Sequence, residues 1–329
     1  MECLKNNNKE YIIPTEKWLN PLSKLIKSDL NNDSLLILSK LMKKEKVIVK
    51  ITYGNNKKVI YFDKIVKNEP NFIKTYCAFS CSEDKNILNF EYSGSNSFCN
   101  NNKNHNKNIT LEIMKRYNNG SLEKFTNHMN IEQFTNVIKQ LILSQLHIFN
   151  KYGFIHNDLH LGNILTESFL NTNYTLNYKI KEENITTNTN FKIIISDFDQ
   201  SKSYDPNVYN NYDNNFMDYN IDDIKKCTFN IEHNLLDNII NTIKDCLRLL
   251  HNSFYTEIKN KLDNYLEINN YYNENYYIIR KILRNYYKKR YNYDTFKNKT
   301  LSIVIIISNQ IYGILTNDKI ILTKNAIGL

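Results

Sequence analysis

The chain has 329 residues, 41% of them apolar, and 43 Lys and Arg against 34 Asp and Glu, for a net charge of +9. That apolar content is enough for a real core, so a globular protein is the starting class. The six cysteines form no CxxC pair, and Cys77 and Cys81 have no second pair at zinc-finger spacing, which sets a zinc finger aside and reads as free thiols with no disulfide partner expected. The positive balance favours acidic substrates, nucleotides, nucleic acid or anionic membranes, while Asn, Lys, Ile and Tyr are abundant throughout, as in an A/T-biased coding sequence. The N-terminal "MECLKNNNKEY" lacks the apolar run of a signal peptide, and "IVIIIS" from Ile303 is too short to span a bilayer. A cytoplasmic location is expected.

The first third reads mainly as strands and short helices. "KVIVKITY" (residues 46 to 53) is β-branched and runs into Gly54-Asn55, a turn signal that predicts a hairpin edge. "FIKTYCAFSC", "NILNFEYSG" and "ITLEIMKRY" predict three more strands, and residues 93 to 108 form a polar, low-complexity loop. From Ile131 the period changes. Phe134, Ile138, Leu141, Ile142, Leu146 and Phe149 recur at helical spacing, so a long amphipathic helix is predicted to end near Tyr152-Gly153. An Asn/Thr-rich stretch at about residues 171 to 190 precedes a strand in "FKIIISDFD". Beyond an acidic, tyrosine-rich segment (204 to 223) come an apolar helix, "NLLDNIINTIKDCLRLL", and a basic, aromatic helical region from Tyr271 to Lys297. The final apolar run, "TLSIVIIISNQIYGIL", fits a strand pair or a buried helix equally, because short apolar runs do not reveal their period.

The predicted long helix leads directly into "FIHNDLHLGNIL" (residues 154 to 165), which places His156, Asp158, His160 and Asn163 within eight positions. Asp197, at the end of the predicted strand, looks like their partner. A carboxylate, a neutral amide oxygen and a second carboxylate suit a hard divalent cation such as magnesium, which prefers oxygen and shares its shell with phosphates. One carboxylate left off the metal can take a proton from an acceptor hydroxyl, the requirement of phosphoryl transfer.

"GFIHNDLHLGNIL" resembles the catalytic loop of the protein kinase-like superfamily, and "ISDFDQ" resembles its metal-binding Asp-Phe-Gly strand end. "LEIMKRYNNGSLEKF" is similar to the kinase hinge, and "VIVKI" to the strand with the phosphate-binding lysine. The resemblance spans roughly residues 46 to 250. It implies an α+β, two-lobed kinase-like fold, with a small, mostly β N-lobe over residues 1–117 and a larger, mostly α C-lobe over residues 118–329. It implies ATP with magnesium or manganese. Asp158 would be the catalytic base, with His160 beside it, Asn163 and Asp197 the metal ligands, and Lys50 the contact to the α and β phosphates. Met114 would be the gatekeeper, with Lys115 to Tyr117 against adenine. Among subfamilies, the motifs look most like the poxvirus virion-assembly serine/threonine kinase of large cytoplasmic DNA viruses. That implies protein substrates, a role in virion assembly, and a place in the host cytoplasm and the virion.

The sequence also departs from the pattern. No GxGxxG precedes Lys50, and "SDLNNDS" (residues 28 to 34) is the candidate cover for the phosphates, without the close backbone approach that glycine allows. Asp63 and Glu69 are the candidate acidic partners of Lys50. Asn157 stands where the loop arginine is usual, so activity is expected not to need phosphorylation between Asp199 and Asp223. His160 replaces a lysine, as in aminoglycoside, choline and haspin-type kinases, and Asp199 replaces the glycine after Asp-Phe. His156 reads as a structural hydrogen-bonder supporting the loop. Residues 280 to 297 interleave basic and aromatic side chains, which could contact an anionic membrane or nucleic acid, or could pack tyrosines on the lower lobe. The alternatives to a protein kinase are a small-molecule kinase, favoured by "DLHLGN" and "DFD", and a pseudokinase scaffold, favoured by the missing glycine loop.

Overall fold

The computed structural model describes residues 34–42, 45–53, 57–81, 109–117, 119–124, 129–168, 173–210, 235–268 and 271–316. The predicted phosphate cover at 28 to 34, apart from its last residue, the predicted strand "NILNFEYSG", the loop at 93 to 108 and most of the segment 204 to 223 lie outside them. The chain divides into two compact units, Met1–Asn68 with Ile73–Arg116, and Glu69–Phe72 with Tyr117–Leu329.

In the first unit, strands β1 (Ser34–Met42), β2 (Glu45–Tyr53), β3 (Thr75–Cys81) and β4 (Ile109–Lys115) form one antiparallel sheet in the order β1-β2-β4-β3. The strand expected at a hairpin edge is therefore interior. Its β-branched residues suit a strand with neighbours on both sides better than an exposed edge. After the Gly54-Asn55 turn signal the next described element is a helix, α1 (Lys57–Val66). Val59, Phe62, Asp63 and Val66, at i, i+3, i+4 and i+7, make its buried face, so an acid sits in an otherwise apolar stripe.

The second unit is built around helix α2 (Ile131–Tyr152). Asn130 and Gln133 close a reciprocal capping box at its start, with bonds of 2.8 and 3.2 Å. Gly153 ends it in the left-handed region, φ 59°, with its N–H on the Phe149 carbonyl at 2.8 Å. A Cβ on Gly153 would lie 2.7 Å from the Tyr293 hydroxyl oxygen and 2.8 Å from the Asp205 nitrogen, so both conformation and space require glycine. Short strands follow: β5 (Phe154–Ile155), β6 (Ile164–Ser168), β7 (Tyr174–Ile180), β8 (Glu183–Thr189), β9 (Phe191–Ile195) and β10 (Lys202–Ser203). They pair as β5 with β10, β6 with β9, and β7 with β8, all antiparallel.

The Asn/Thr-rich stretch thus contains a β-hairpin. Its inward positions, Leu176, Tyr178 and Ile180, are buried against α2, and its outward positions carry the polar residues. Helices α3 (Pro206–Tyr209), α4 (Leu235–Cys246), α5 (Asn252–Ile268), α6 (Tyr271–Tyr287) and α7 (Tyr293–Thr316) complete the unit. The final apolar run is helical, extended on its N-terminal side into 24 residues. By length and composition α7 could cross a membrane, where the short run in isolation could not. Leu301, Val304, Ile305 and Ile311 on it are fully buried, and it packs against α2, α5 and α6.

The basic, aromatic region splits into α6 and the start of α7. Tyr286 and Phe296 stack at 4.6 Å, and the Tyr286 hydroxyl donates to the Tyr204 carbonyl at 2.8 Å. Tyrosine packing within the unit accounts for these aromatics, whereas Lys281, Arg284, Lys288, Lys289 and Arg290 are exposed.

Candidate active site

The loop after α2 alternates between anchoring and presentation. Phe154, Ile155, His156, Leu159, Leu161 and Asn163 are buried, whereas Asp158 and His160 between them are exposed. Several of these anchors have an identifiable hold. His156 donates from Nε2 to the Ser196 carbonyl at 2.9 Å and meets the Phe198 ring edge-on at 5.7 Å. Because a carbonyl can only accept, the Nε2 proton is fixed, and burial lowers the pKa of the ring so that it stays neutral. Ser201 donates to the His156 carbonyl at 3.1 Å, and Thr242 on α4 donates to the Leu159 carbonyl at 2.8 Å.

Asn163 and Asp197 come together through strand pairing. Ile164 on β6 faces Ile195 on β9, so the residues just before one strand and just after the other share one end of the ribbon. There Ser196 donates from its backbone N–H (2.9 Å) and its hydroxyl (3.1 Å) to the Asn163 carbonyl. Asp197 has φ 69°, and Asn157 φ 64°, two left-handed residues in one loop cluster. Asp and Asn tolerate that region better than most side chains, and such strain concentrates at functional sites. The other edge of β9 is held by side chains. Gln140 accepts from the Ile193 N–H at 3.1 Å and donates to the Phe191 carbonyl at 2.8 Å. Asn71 donates to the Ile193 carbonyl at 2.8 Å, and its own carbonyl takes the Ile195 N–H at 2.7 Å.

The Asn163 side-chain Nδ2 donates to the Asp158 backbone carbonyl at 2.9 Å and lies 3.5 Å from Asp158 Oδ2. That assignment turns the amide oxygen away from Asp158 and leaves it as the oxygen donor of the pair. His160 accepts the Gly162 N–H on Nδ1 at 3.1 Å, so the proton of its neutral ring is on Nε2, 3.9 Å from Asp158 Oδ2. A Cβ on Gly162 would come within 2.7 Å of the His160 ring and 3.1 Å of a Glu123 carboxylate oxygen, so this glycine makes room for the imidazole. Asp158 and His160 side chains are 52% and 48% exposed, which keeps both open to an incoming molecule.

Among the described residues no group of three or more His, Cys, Asp or Glu side chains is placed to hold a metal ion. The set at hand is all oxygen, Asp197 with the Asn163 amide, and fits a hard cation that completes its shell with phosphate and water.

The first unit supplies a second cluster. Lys50 and Glu112 are directly opposite on β2 and β4, Nζ to Oε2 4.0 Å, with side chains 9% and 4% exposed. Asp63 on α1 is fully enclosed beside them. Burial, then the neighbouring Glu112 charge, raises its carboxyl well above the usual range, and Lys50 only partly offsets this. Glu69, one of the two expected partners of Lys50, is engaged elsewhere. It accepts from His147 Nε2 at 2.8 Å, Lys151 Nζ at 2.6 Å and the Tyr152 hydroxyl at 2.9 Å. Burial raises the Glu69 carboxyl, but these donors outweigh it and bring it down to about 2. Glu112 was the residue missed in the sequence, although a carboxylate inside the apolar "ITLEIMK" strand was a visible anomaly.

Met114 is buried near the end of β4. The Lys115 N–H is bonded to the Lys74 carbonyl at 2.9 Å, and the Tyr117 side chain is buried.

No protein-family model matches the chain, and no curated protein matches it. Among solved structures it is similar to the Cydia pomonella granulovirus kinase PK-1, at 16% identity and TM-score 0.31 over 56% of this chain and 60% of that one. It is also similar to a Plasmodium kinase domain, at 14% identity and TM-score 0.32 over 53% of this chain and 52% of that one. Both neighbours are described as kinases, and the chain spans less than two thirds of the length of each.

Proposed function

We propose that the chain is an ATP-dependent phosphotransferase acting on serine or threonine of proteins. One observation carries the reading: Asp158 is exposed on a loop several of whose buried residues are tied down, with the Asn163 amide turned onto the Asp158 carbonyl and Asp197 at the same strand end. In this reading Asp158 accepts the proton of the attacking hydroxyl, and His160 stands beside that carboxylate, its Nε2 3.9 Å from Oδ2. Asn163 and Asp197 hold magnesium or manganese, which when bound neutralises phosphate charge. Lys50 contacts the α and β phosphates of ATP, Met114 is the gatekeeper, and Lys115 to Tyr117 lie against adenine.

The resemblance of the motifs to virion-assembly kinases supports a role in the assembly of a large cytoplasmic DNA virus, in the host cytoplasm and the virion. The exposed Lys281, Arg284, Lys288, Lys289 and Arg290 suit an anionic membrane. Cosedimentation with phosphatidylserine vesicles that Lys281→Glu/Arg284→Glu abolishes supports that contact, and retention of nucleic acid in place of vesicles replaces it.

The test of the activity is transfer from labelled ATP with magnesium or manganese to generic proteins and to the chain itself, wild type against Asp158→Asn. Label on serine or threonine that disappears in the variant establishes the reading. Nucleotide binding without transfer to protein moves it to a small-molecule acceptor or a scaffold.

A further inference from the structure

We infer that Glu112, on the strand beside Lys50, is the carboxylate that positions this lysine, and that Asp63 on the helix is secondary to it. The inference rests on the assignment of Lys50 to the nucleotide phosphates.

Three observations carry it. Lys50 and Glu112 are a direct cross-strand pair, so their side chains leave the same face of the sheet at the same level. Both are buried, and the 4.0 Å separation brings the opposite charges together where water does little to screen them. Asp63 completes the cluster from the buried face of α1, with the Thr75 hydroxyl and the Glu112 carboxyl as its neighbours.

Two carboxylates buried side by side disfavour a second negative charge, and a shared proton relieves that repulsion. Full enclosure and the Glu112 charge place that proton on Asp63. Asp63 then donates to Glu112, and Glu112 is the anion that faces Lys50. The general kinase arrangement pairs the phosphate lysine with an acid on the helix, and displacement of that helix breaks the pair. Here the anion is on β4, which is registered to β2 from Val47↔Lys115 to Tyr53↔Ile109. A shift of α1 therefore leaves Lys50 in place.

The experiment is calorimetric titration of a non-hydrolysable ATP analogue with magnesium into wild type, Glu112→Gln, Asp63→Asn and Lys50→Met. Glu112→Gln is expected to weaken binding by about tenfold or more, close to Lys50→Met, because each removes one partner of a buried charge pair. Asp63→Asn, which mimics the protonated acid, is expected to stay within about threefold of wild type. A loss in Asp63→Asn as large as in Glu112→Gln overturns the inference and makes the helix carboxylate the anchor.

Melting temperatures of the single variants, Lys50→Met/Glu112→Gln and Lys50→Met/Asp63→Asn give a second readout that does not depend on nucleotide. Coupling of Lys50 with Glu112 should exceed coupling with Asp63, and the reverse order overturns the inference. Wild type that binds no nucleotide removes the phosphotransferase reading and this inference with it. Wild-type binding that Glu112→Gln leaves unchanged removes this inference alone.

Discussion

The Asp158 loop and the Lys50 cluster hold their charged groups in opposite ways. Asp158 is half exposed, and around it lies a buried, neutral frame in which His156, Ser201 and Thr242 bond to backbone. Lys50 is itself buried and is held by charge, with Glu112 facing it and Asp63 beside them. A group that must take a proton from an incoming molecule gains from exposure on a rigid support. A group that must present a fixed positive charge gains from a low-dielectric setting that strengthens its field.

If that contrast is right, the largest effect belongs to Asp158. Asp158→Asn should lower phosphate transfer by about 10²–10⁴-fold while moving stability by no more than about 0.5 kcal/mol, as for an exposed substitution. A variant that melts well below wild type would place Asp158 in the frame instead, and break the comparison. Removing the frame should do the converse. His156→Ala loses a buried hydrogen bond and a ring contact, and is expected to cost about 2–4 kcal/mol by denaturant unfolding.

The frame also has a signature in acid. Burial lowers the pKa of His156 in the folded chain, so the unfolded chain binds its proton first. The contribution of neutral His156 is complete above the ordinary histidine value of about 6.5 and is lost as pH falls through the lower folded value. The wild-type melting temperature should fall below pH 6.5 by more than that of His156→Asn. Parallel pH curves would show that the ring is not buried neutral.

Gly162→Ala sharpens the contrast within the loop. Its Cβ would meet the His160 ring, so kcat should drop by about tenfold with little change in KM for ATP. Equal loss in KM would mean that the imidazole serves binding. A comparable effect on stability alone is that of Glu69→Gln, which keeps all three donors near but removes the charge they share. It is expected to destabilise by about 1–3 kcal/mol at pH 7. Because the carboxyl is held near 2, the wild-type advantage persists above the ordinary glutamate range and disappears as pH falls towards 2.

How much could be seen in the sequence depended on how local each feature is. Helix α2 announces itself by period, and the Asp158 loop by residue types packed within twelve positions, because the frame's anchors alternate with the groups it presents. The hairpin of β7 and β8 was hidden by composition, although Leu176, Tyr178 and Ile180 carry a period of two. Two features had no local signal. Gln140 in an apolar helix reads as an interruption until β9 arrives to bond with it, some fifty positions later. The partner of Lys50 depends on strand register, which brings Glu112 opposite from sixty-two positions away, while the nearer Glu69 belongs to the other unit.

The excursion at Glu69–Phe72 bears on how this chain is made. These four residues interrupt the first unit, and their partners, Gln140, His147, Lys151 and Ile193 to Ile195, are translated long after them. On the ribosome, Asn71 and Phe72 must wait uncovered until β9 has emerged. Neither unit can then be expressed as one continuous fragment. A chain cut near residue 117 would strand Glu69–Phe72, with the buried Asn71 and Phe72, on the wrong piece, and the two halves should regain their native melting behaviour only when folded together.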